Sequence, residues 1–323
     1  MFEIIVQRLS DIDIAELAKF TFETLQSSVF RVENRTTAEI EQSLNERADD
    51  ENELVVLARE QESREILGKL GIYTGFPRMV FISKWDPIVM QSKKRDAVAR
   101  TLIKRCKKYT RHIGFNRLEA SLSPINENNE KLRSDYQILY EREGFHKATE
   151  EASMRVEMSK WIPELQSSKL PEGYQFEEVG DRTDAEVYEV FHETFKLSKD
   201  RLHLDMAPSE QQTTFKHWFD RTRPFHATSL FVVKDNKIVG FSIGRANDNI
   251  VYLGPFGLLP EHRGNGVAQA LLHEGLMRIK ADKDIKYAEL EVDVDNPSAV
   301  KLYTRFGFTQ QYRQEYYSWN VPR

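Results

Sequence analysis

The chain has 323 residues and a single cysteine, Cys106, so no disulfide can form within it. No apolar stretch reaches the roughly 20 residues that a membrane-spanning helix needs. The first residues include acidic side chains where a secretory leader has a basic start and a long apolar run, so no such leader is predicted. Together these absences lead us to expect a protein of the cytoplasm with no membrane partner.

An excess of charge is also missing. The formal net charge is -5, which provides no general attraction to nucleic acid, and nucleic acid is not expected as a partner. Hydrophobic residues make up 40% of the chain and charged residues 30%, as in an ordinary globular protein. The length exceeds that of most single domains, so we expect two domains.

Two parts of the sequence repeat each other in the same order. Leu139–Phe145 and Leu302–Phe308 both read Leu-Tyr-x-Arg-x-Gly-Phe, which indicates a helix end, a glycine terminator and a following strand. Upstream of them, Val98–Ile103 is similar to Val267–Leu272. Because the similarity has two copies, it indicates duplicated domains rather than a solenoid.

The segment between the two copies is rich in turn-forming residues. Trp161–Gly173 contains two prolines, two serines and a glycine. We therefore expect a first domain at 1–160, a linker at 161–173 and a second domain at 174–323. In each copy strands alternate with helices, which predicts a mixed α/β sheet.

The most informative segment is a strand, turn and helix at Phe256–Ala268. Gly264 and Gly266 stand before a long amphipathic helix, where free backbone N–H groups and the helix dipole favour a phosphate. Arg263 adds positive charge. A P-loop is excluded because Gly-Lys-Ser/Thr is absent, and a dinucleotide fingerprint because Gln269 stands at its third glycine. On these residues alone, a tight structural turn and a phosphate site remain alternatives.

Arg263-x-x-Gly266-x-Ala268 matches the Arg/Gln-x-x-Gly-x-Gly/Ala motif of the GNAT N-acetyltransferases, and the second copy resembles that family over 174–323. The resemblance implies an α/β (α+β) fold of two tandem GNAT-like domains, each a mixed, mostly antiparallel sheet flanked by helices. It also implies acetyl-CoA as the cosubstrate. The residues that the resemblance assigns to acetyl-CoA are Leu258, Leu259, Arg263, Gly264, Asn265, Gly266, Val267, Ala268, Asn296 and Tyr303.

Two residues of the second copy are candidates for the chemistry of acyl transfer. Tyr303 resembles the tyrosine that GNAT enzymes use as a general acid toward the CoA sulfur, with a core aromatic residue as the alternative. Glu291 resembles the glutamate of a Leu-Glu-Val pattern that some members use as the base. Period-two alternation places Glu291 on one strand face with Glu289, Asp293 and Asp295. We expect Glu289 and Asp293 to be solvated residues of that face.

Asn296 precedes Pro297, which fits a helix N-cap followed by proline at the first helical position. By resemblance, an asparagine at this point also contacts CoA, and the two roles are compatible. No metal is expected, because the histidines of the second copy do not form a ligand pair with a third ligand.

The first copy departs from the motif. Lys94–Ala99 stands where the second copy has Arg263–Ala268, and both glycines are absent. Side chains there would crowd a pyrophosphate, so we predict a degenerate copy that does not bind CoA in the usual way, although it retains Tyr140. The basic run Lys93–Arg111 is interpreted as the solvated face of a helix, with a nucleic-acid patch as the alternative.

The sequence is therefore interpreted as an acyl-CoA-dependent N-acyltransferase. It would transfer acetyl from acetyl-CoA to a primary amine of a small molecule, by direct attack in a ternary complex. A non-catalytic acyl-CoA-binding sensor or scaffold is the alternative. Either a monomer or a homodimer is expected.

Overall fold

The computed structural model describes residues 1–27, 35–76, 78–165, 168–180, 182–196 and 208–322. The chain forms two compact units. The first unit contains Met1–Thr149 together with Arg313–Arg323, and the second contains Glu150–Tyr312. The closing segment of the chain therefore belongs to the first unit.

The first unit has a mixed sheet flanked by helices. Its strands run in the order β1-β2-β3-β4-β6, with β5 beside β3, and only β4 and β6 among these described neighbours are parallel. The strands are β1 (Phe2–Arg8), β2 (Glu53–Glu60), β3 (Ile66–Phe76), β4 (Met79–Ile82), β5 (Ile88–Val89) and β6 (Arg117–Ile125). The helices are α1 (Ile14–Ser27), α2 (Thr37–Ala48), α3 (Arg95–His112) and α4 (Glu130–Arg142).

The second unit repeats this arrangement. Its strands run in the order β8-β9-β10-β11-β12, and β11 and β12 form the parallel pair. The strands are β8 (Tyr174–Glu178), β9 (Leu230–Lys234), β10 (Lys237–Asn247), β11 (Ile250–Leu258) and β12 (Tyr287–Asp293). The helices are α5 (Asp184–Lys196), α6 (Pro208–Trp218), α7 (Val267–Ala281) and α8 (Pro297–Arg305). The mixed, mostly antiparallel sheet predicted for each copy is thus confirmed.

Two long strands close the sheets, and each follows the last helix of one copy. β7 (His146–Glu157) pairs antiparallel with β12 of the second unit. β13 (Thr309–Asn320) pairs antiparallel with β6 of the first unit. The strand that closes the first sequence copy therefore completes the sheet of the second unit. The strand that closes the second copy completes the sheet of the first unit. The compact units and the sequence copies accordingly have different bounds, and the predicted boundaries at 160 and 174 remain a prediction about the copies.

The helix ends follow the local signals in the sequence. Thr183 and Glu186 form a reciprocal pair at the start of α5, in which the glutamate accepts from the Thr183 N–H at 2.9 Å. Gly144 and Gly307 adopt left-handed φ values of 76° and 86° just after α4 and α8, as the repeated motif predicts. The closing strand starts at Thr309, and its first residues are polar and largely exposed, so hydrophobic alternation does not mark its beginning.

The two faces of the second sheet carry different helices, which decides where the site residues lie. α5 and α6 cover one face, and α7 and α8 cover the other. On the α5 face the core contains Val187, Phe191, Phe215, Phe231 and Phe241. On the α7 face it contains Leu230, Leu258, Leu271, Leu276, Leu290, Val292 and Tyr303.

Candidate active site

The turn between β11 and α7 has the backbone conformation that its glycines permit. Gly264 has a φ of 80° and Gly266, the N-cap of α7, a φ of 90°. A β-carbon at either residue would meet nothing within 4 Å. The glycines are therefore required by the left-handed backbone, and open space lies beside them. The first N–H groups of α7 lie at this open turn, where a phosphate is favoured.

Arg263 is fixed by two backbone carbonyls. Its Nε donates to the carbonyl of Leu258 at 2.9 Å, and its Nη2 donates to the carbonyl of Thr194 at 2.9 Å. The guanidinium therefore joins the end of β11 and the end of α5 to the turn. Its positive charge lies at the turn as predicted. Nothing in the sequence indicates that its side chain also holds α5 in place, because Arg263 and Thr194 are 69 positions apart.

The apolar residues assigned to acetyl-CoA pack into the protein. Leu258 and Val267 are buried against the α7 face of the sheet, and Ala268 is partly buried beside them. The Leu259 N–H donates to the carbonyl of Val239 at 2.9 Å, which anchors the strand end. These side chains shape the turn, so contact between these residues and a cosubstrate would involve mainly their backbone.

Asn265 belongs to a small polar cluster at the turn. Its Nδ2 donates to the hydroxyl of Tyr174 at 3.2 Å, and the same hydroxyl lies 2.9 Å from Nδ1 of His262. The ammonium of Lys234 lies 4.8 Å from the centre of the Tyr174 ring. Tyr174 thus connects β8 to the turn. This contact leaves no sign in the sequence, because Tyr174 and Asn265 are 91 positions apart.

β11 and β12 separate as they approach the turn. Their parallel pairing covers only three registers, from Ile250↔Tyr287 to Tyr252↔Glu289. Beyond this point β11 continues to pair with β10, while β12 continues to pair with β7 on its other side. Phe256–Leu258 and Leu290–Asp293 are therefore not paired with each other, and we call the space between them the gap. β11 leads from this gap through Leu259 to the glycine turn. An extended arm of a ligand could enter the sheet there.

Tyr303 lies beside this gap on the α7 face of the sheet. Its ring packs edge-on against Phe256, with 6.2 Å between ring centres, and against Phe308 at 5.8 Å. Only 7% of the residue is exposed, and burial raises the pKa of its hydroxyl, which therefore keeps its proton at neutral pH. The hydroxyl has no hydrogen-bond partner among the described residues, yet it is not one of the fully buried polar atoms. It is therefore available to a ligand.

Glu291 lies on the opposite face of β12. Leu290 and Val292 point into the core under α7 and α8, so Glu291 points to the α5 face, where it is exposed. The structure therefore brings Glu291 and Tyr303 to the same gap but from its two sides.

Two expectations for the acidic strand were wrong. Glu289 is not solvated: it is 8% exposed and forms an ion pair with Arg155 on the adjacent strand β7. Asp295 is not on the strand face, because β12 ends at Asp293 and the Asp295 N–H donates to the Asp293 carboxylate at 2.7 Å in a tight turn. The period-two pattern identified the strand face of Glu289 correctly, but it could not identify Arg155 as the partner of Glu289 or Asp293 as the last residue of the strand.

Asn296 caps α8 as expected. Its side chain accepts a hydrogen bond from the Ala299 N–H at 3.3 Å and another from the Ser298 hydroxyl at 2.8 Å, and Pro297 follows it at the first helical position. The cap accounts for the asparagine by itself. A contact between Asn296 and CoA stays a prediction.

The first unit has a different structure at the corresponding turn. Its helix α3 starts at Arg95, with Lys94 at the N-cap, so the residues aligned with Gly264 and Gly266 already lie in the helix. The buried side of α3 is formed by Val98, Ala99, Leu102, Ile103, Cys106 and Thr110, which confirms that its apolar residues face the core. No glycine turn precedes α3 among the described residues.

The gap beside β4 is also filled by the chain itself. Trp85 and Asp86 are buried, and the Trp85 N–H donates to the carbonyl of Ser121 on β6 at 3.3 Å. Tyr140, which corresponds to Tyr303, donates its hydroxyl to the carbonyl of Asp86. The segment 83–89 therefore occupies the position that is open in the second unit, and its tyrosine is already paired.

Comparison with known proteins agrees with this geometry. The Acetyltransferase (GNAT) family profile matches residues 185–308. The second copy is a GNAT acetyltransferase domain. A mycothiol acetyltransferase from Streptomyces griseus is 37% identical over 94 residues, which is 28% of this chain and 29% of that protein. The chain therefore spans less than a third of the curated relative it matches.

Solved structures show that the GNAT-like fold extends over the whole chain. A GCN5-related N-acetyltransferase from Sphaerobacter thermophilus covers 100% of this chain and 96% of its own, with a TM-score of 0.67 and 16% identity. A tandem GNAT protein from the clavulanic acid biosynthesis pathway covers 100% of both chains, with a TM-score of 0.60 and 13% identity. At these identities the similarity establishes the fold alone: two tandem GNAT-like domains.

Other kinds of site find little support in the described ranges. No group of three or more histidine, cysteine or acidic residues there could hold a metal ion. None of the described helices has the length and apolar character to cross a membrane. Burial raises the pKa of the Cys106 thiol to about 12, so this cysteine is an unsuitable nucleophile for a GNAT reaction.

Proposed function

We propose that the protein is an acyl-CoA-dependent N-acyltransferase with its site in the second unit. In this proposal it transfers acetyl from acetyl-CoA to a primary amine of a small molecule. The observations that carry the proposal are the gap between β11 and β12 and the left-handed turn at Gly264 and Gly266 that follows β11 in the chain. A phosphate site beside a slot for an extended arm fits a ligand with the shape of CoA.

The turn would hold the pyrophosphate. The N–H groups at the start of α7 donate to it, and Arg263 contributes a positive charge whose position is fixed by the carbonyls of Leu258 and Thr194. The pantetheine arm would run along Phe256–Leu258 into the gap. This places the thioester between the two faces of the sheet.

The two sides of the gap would then serve the two halves of the reaction. Glu291 lies on the α5 face and would accept a proton from the amine, directly or through water, as the amine attacks the thioester carbon. Tyr303 lies on the α7 face and would donate its proton toward the sulfur as the carbon–sulfur bond breaks. The amine attacks directly in a ternary complex, because the buried Cys106 offers no reactive thiolate.

The test is release of CoA from acetyl-CoA in the presence of primary amines: simple alkylamines, amino acids and amino sugars. We expect turnover with at least one class, and loss of turnover when Gly266→Glu blocks the turn. Acetyl-CoA binding without turnover across the panel would instead indicate the sensor or scaffold alternative. Failure of the wild-type protein to bind acetyl-CoA in a calorimeter would overturn the proposal.

A further inference from the structure

Helix α5 carries a buried threonine hydroxyl that has no hydrogen-bond partner in the part of the chain that the structure describes. Thr194 is 3% exposed, and its Oγ1 is a buried atom with no hydrogen-bond partner among the described residues. A helical threonine commonly donates to the carbonyl four residues earlier, as Thr110 does to Cys106 at 3.0 Å and Thr213 to Ser209 at 3.1 Å. An unpaired buried hydroxyl costs free energy, so its presence calls for an explanation.

Two contacts fix Thr194 beside the gap. Its methyl group lies against Gly257 of β11, where a β-carbon would collide with it. Its carbonyl accepts the hydrogen bond from Arg263 of the turn at 2.9 Å. Thr194 is therefore attached to both walls of the proposed cosubstrate site, the strand and the turn. It covers the strand from the α5 face, the face on which Glu291 lies.

We propose that the Thr194 hydroxyl donates a hydrogen bond to a carbonyl oxygen at the thioester end of a bound acyl-CoA. This inference rests on the proposed function. A ligand must enter the gap beside Gly257 to reach a hydroxyl buried under α5, and the inner end of the pantetheine arm is the part that would do so. That end carries amide and thioester carbonyls, which accept hydrogen bonds from a hydroxyl.

If the Thr194 hydroxyl bonds to the ligand, Thr194→Val should not lower the stability of the free protein but should weaken its binding of acyl-CoA. In the free protein the hydroxyl is desolvated and has no partner among the described residues, so replacing it by the methyl of valine removes an unfavourable group. In the complex the hydroxyl is paired, so the same replacement removes a favourable contact. A threonine with only a structural role would not produce this combination, because its loss would leave ligand affinity unchanged.

The experiment compares calorimetric binding of acetyl-CoA and of adenosine 3′,5′-bisphosphate, which lacks the pantetheine arm. For Thr194→Val we expect acetyl-CoA affinity to fall about three- to tenfold, the range for one net hydrogen bond. The bisphosphate should bind with unchanged affinity. The midpoint of thermal unfolding without ligand should equal or exceed that of wild type. Thr194→Ser keeps the hydroxyl and should retain the affinity for acetyl-CoA.

Thr228 provides the matched control. Its Oγ1 is also buried and has no hydrogen-bond partner among the described residues. The residue lies against Gly244 of β10 and Gly275 of α7, on the opposite face of the sheet from Thr194. Thr228→Val should change thermal stability in the same direction and leave acetyl-CoA affinity unchanged.

Three results would count against the proposal. Equal acetyl-CoA affinity in Thr194→Val and wild type would overturn the role of the hydroxyl while leaving the acyl-CoA site intact. Equal weakening of both ligands would show that Thr194 acts on the turn and not at the thioester. If the wild-type protein bound neither ligand, the proposed function itself would be wrong.

Discussion

Glu291 and Tyr303 approach the gap between β11 and β12 from opposite faces of the sheet. Glu291 alternates with the buried Leu290 and Val292, while Tyr303 packs with those two residues in the core under α7 and α8. A group located in the gap could reach both residues, whereas a group lying on either surface of the sheet could reach only one. The separation of the strands is therefore a condition for the two residues to act together.

Replacing Tyr303 by phenylalanine tests the proposed acid. Because the hydroxyl has no partner among the described residues, its loss should change the midpoint of thermal unfolding by no more than about 1 °C. The free energy of unfolding should change by no more than roughly 0.5 kcal/mol, as for a neutral substitution. We expect kcat to fall about a hundredfold, the lower range for general acid catalysis, while calorimetric affinity for acetyl-CoA is retained. Full turnover in the variant would assign Tyr303 to the core alone.

Replacing Glu291 by glutamine tests the proposed base. The side chain is exposed, so stability should be retained while turnover falls about a hundredfold. Glu289→Gln is the matched control on the same strand face: it breaks the ion pair with Arg155 and should lower the unfolding midpoint without abolishing turnover. If the two variants lost turnover equally, the effect would come from the strand rather than from the base.

The parts of the site that the sequence predicted are those that depend on local structure. Gly264 and Gly266 could be recognised because a left-handed backbone before a helix requires glycine. The cap at Asn296 was predicted for the same reason, since its partners lie within three residues. The two-copy fold was also predictable, because the repeat of helix, glycine and strand appears in the order of residues.

The parts that the sequence missed depend on residues far apart in the chain. The orphan hydroxyl of Thr194 has no signature in α5, because it results from the packing of that helix against Gly257. Arg155 lies beside Glu289 only because β7 pairs with β12, and the two residues are 134 positions apart in the chain. Exchange of the closing strands has no local signature either, because β7 and β13 have equivalent places in the repeat and pairing alone decides the sheet each joins.

Replacing Gly266 by alanine tests two things, the stability cost of a β-carbon on a left-handed backbone and the binding of acetyl-CoA at the turn. A left-handed conformation disfavours a β-carbon by roughly 1–2 kcal/mol, although open space surrounds the residue. We expect that loss in the free energy of unfolding, measured with urea, together with weaker acetyl-CoA binding. Gly114 has a φ of 75° and equally open space in the first unit, so Gly114→Ala should cost similar stability and keep binding. Unchanged acetyl-CoA affinity in Gly266→Ala would argue against a ligand at the turn.

The filled gap in the first unit predicts one acyl-CoA per chain. Helix α3 starts where the turn would be, and the hydroxyl of Tyr140 is already bonded to Asp86. Calorimetric titration with acetyl-CoA should therefore give a stoichiometry near one, and Gly266→Glu should abolish the binding. A stoichiometry near two, or a residual site in Gly266→Glu, would show that the first unit also binds acyl-CoA.

The exchanged strand β13 brings a buried carboxylate into the first unit, and its charge should make stability depend on pH. Glu315 accepts hydrogen bonds from Arg133 at 2.7 Å, Lys147 at 2.8 Å and Tyr317 at 2.8 Å. Burial alone would raise the pKa of Glu315, but these three donors together lower it. The charged form is therefore more favourable in the folded protein than in the unfolded chain.

A lowered pKa gives a stabilising contribution that is fully present above the unfolded value, near 4.3, and is lost as the pH falls through the lower folded value. Glu315→Gln should cost about 1–3 kcal/mol at pH 7, because it leaves two cations beside a buried neutral group. The difference between variant and wild type should shrink below about pH 4. Glu130→Gln removes a more exposed carboxylate from the same unit and should cost under about 1 kcal/mol. Urea unfolding at pH 7 and pH 3.5 measures both variants, and a pH-independent difference for Glu315→Gln would contradict the assignment of a stabilising charge to this strand.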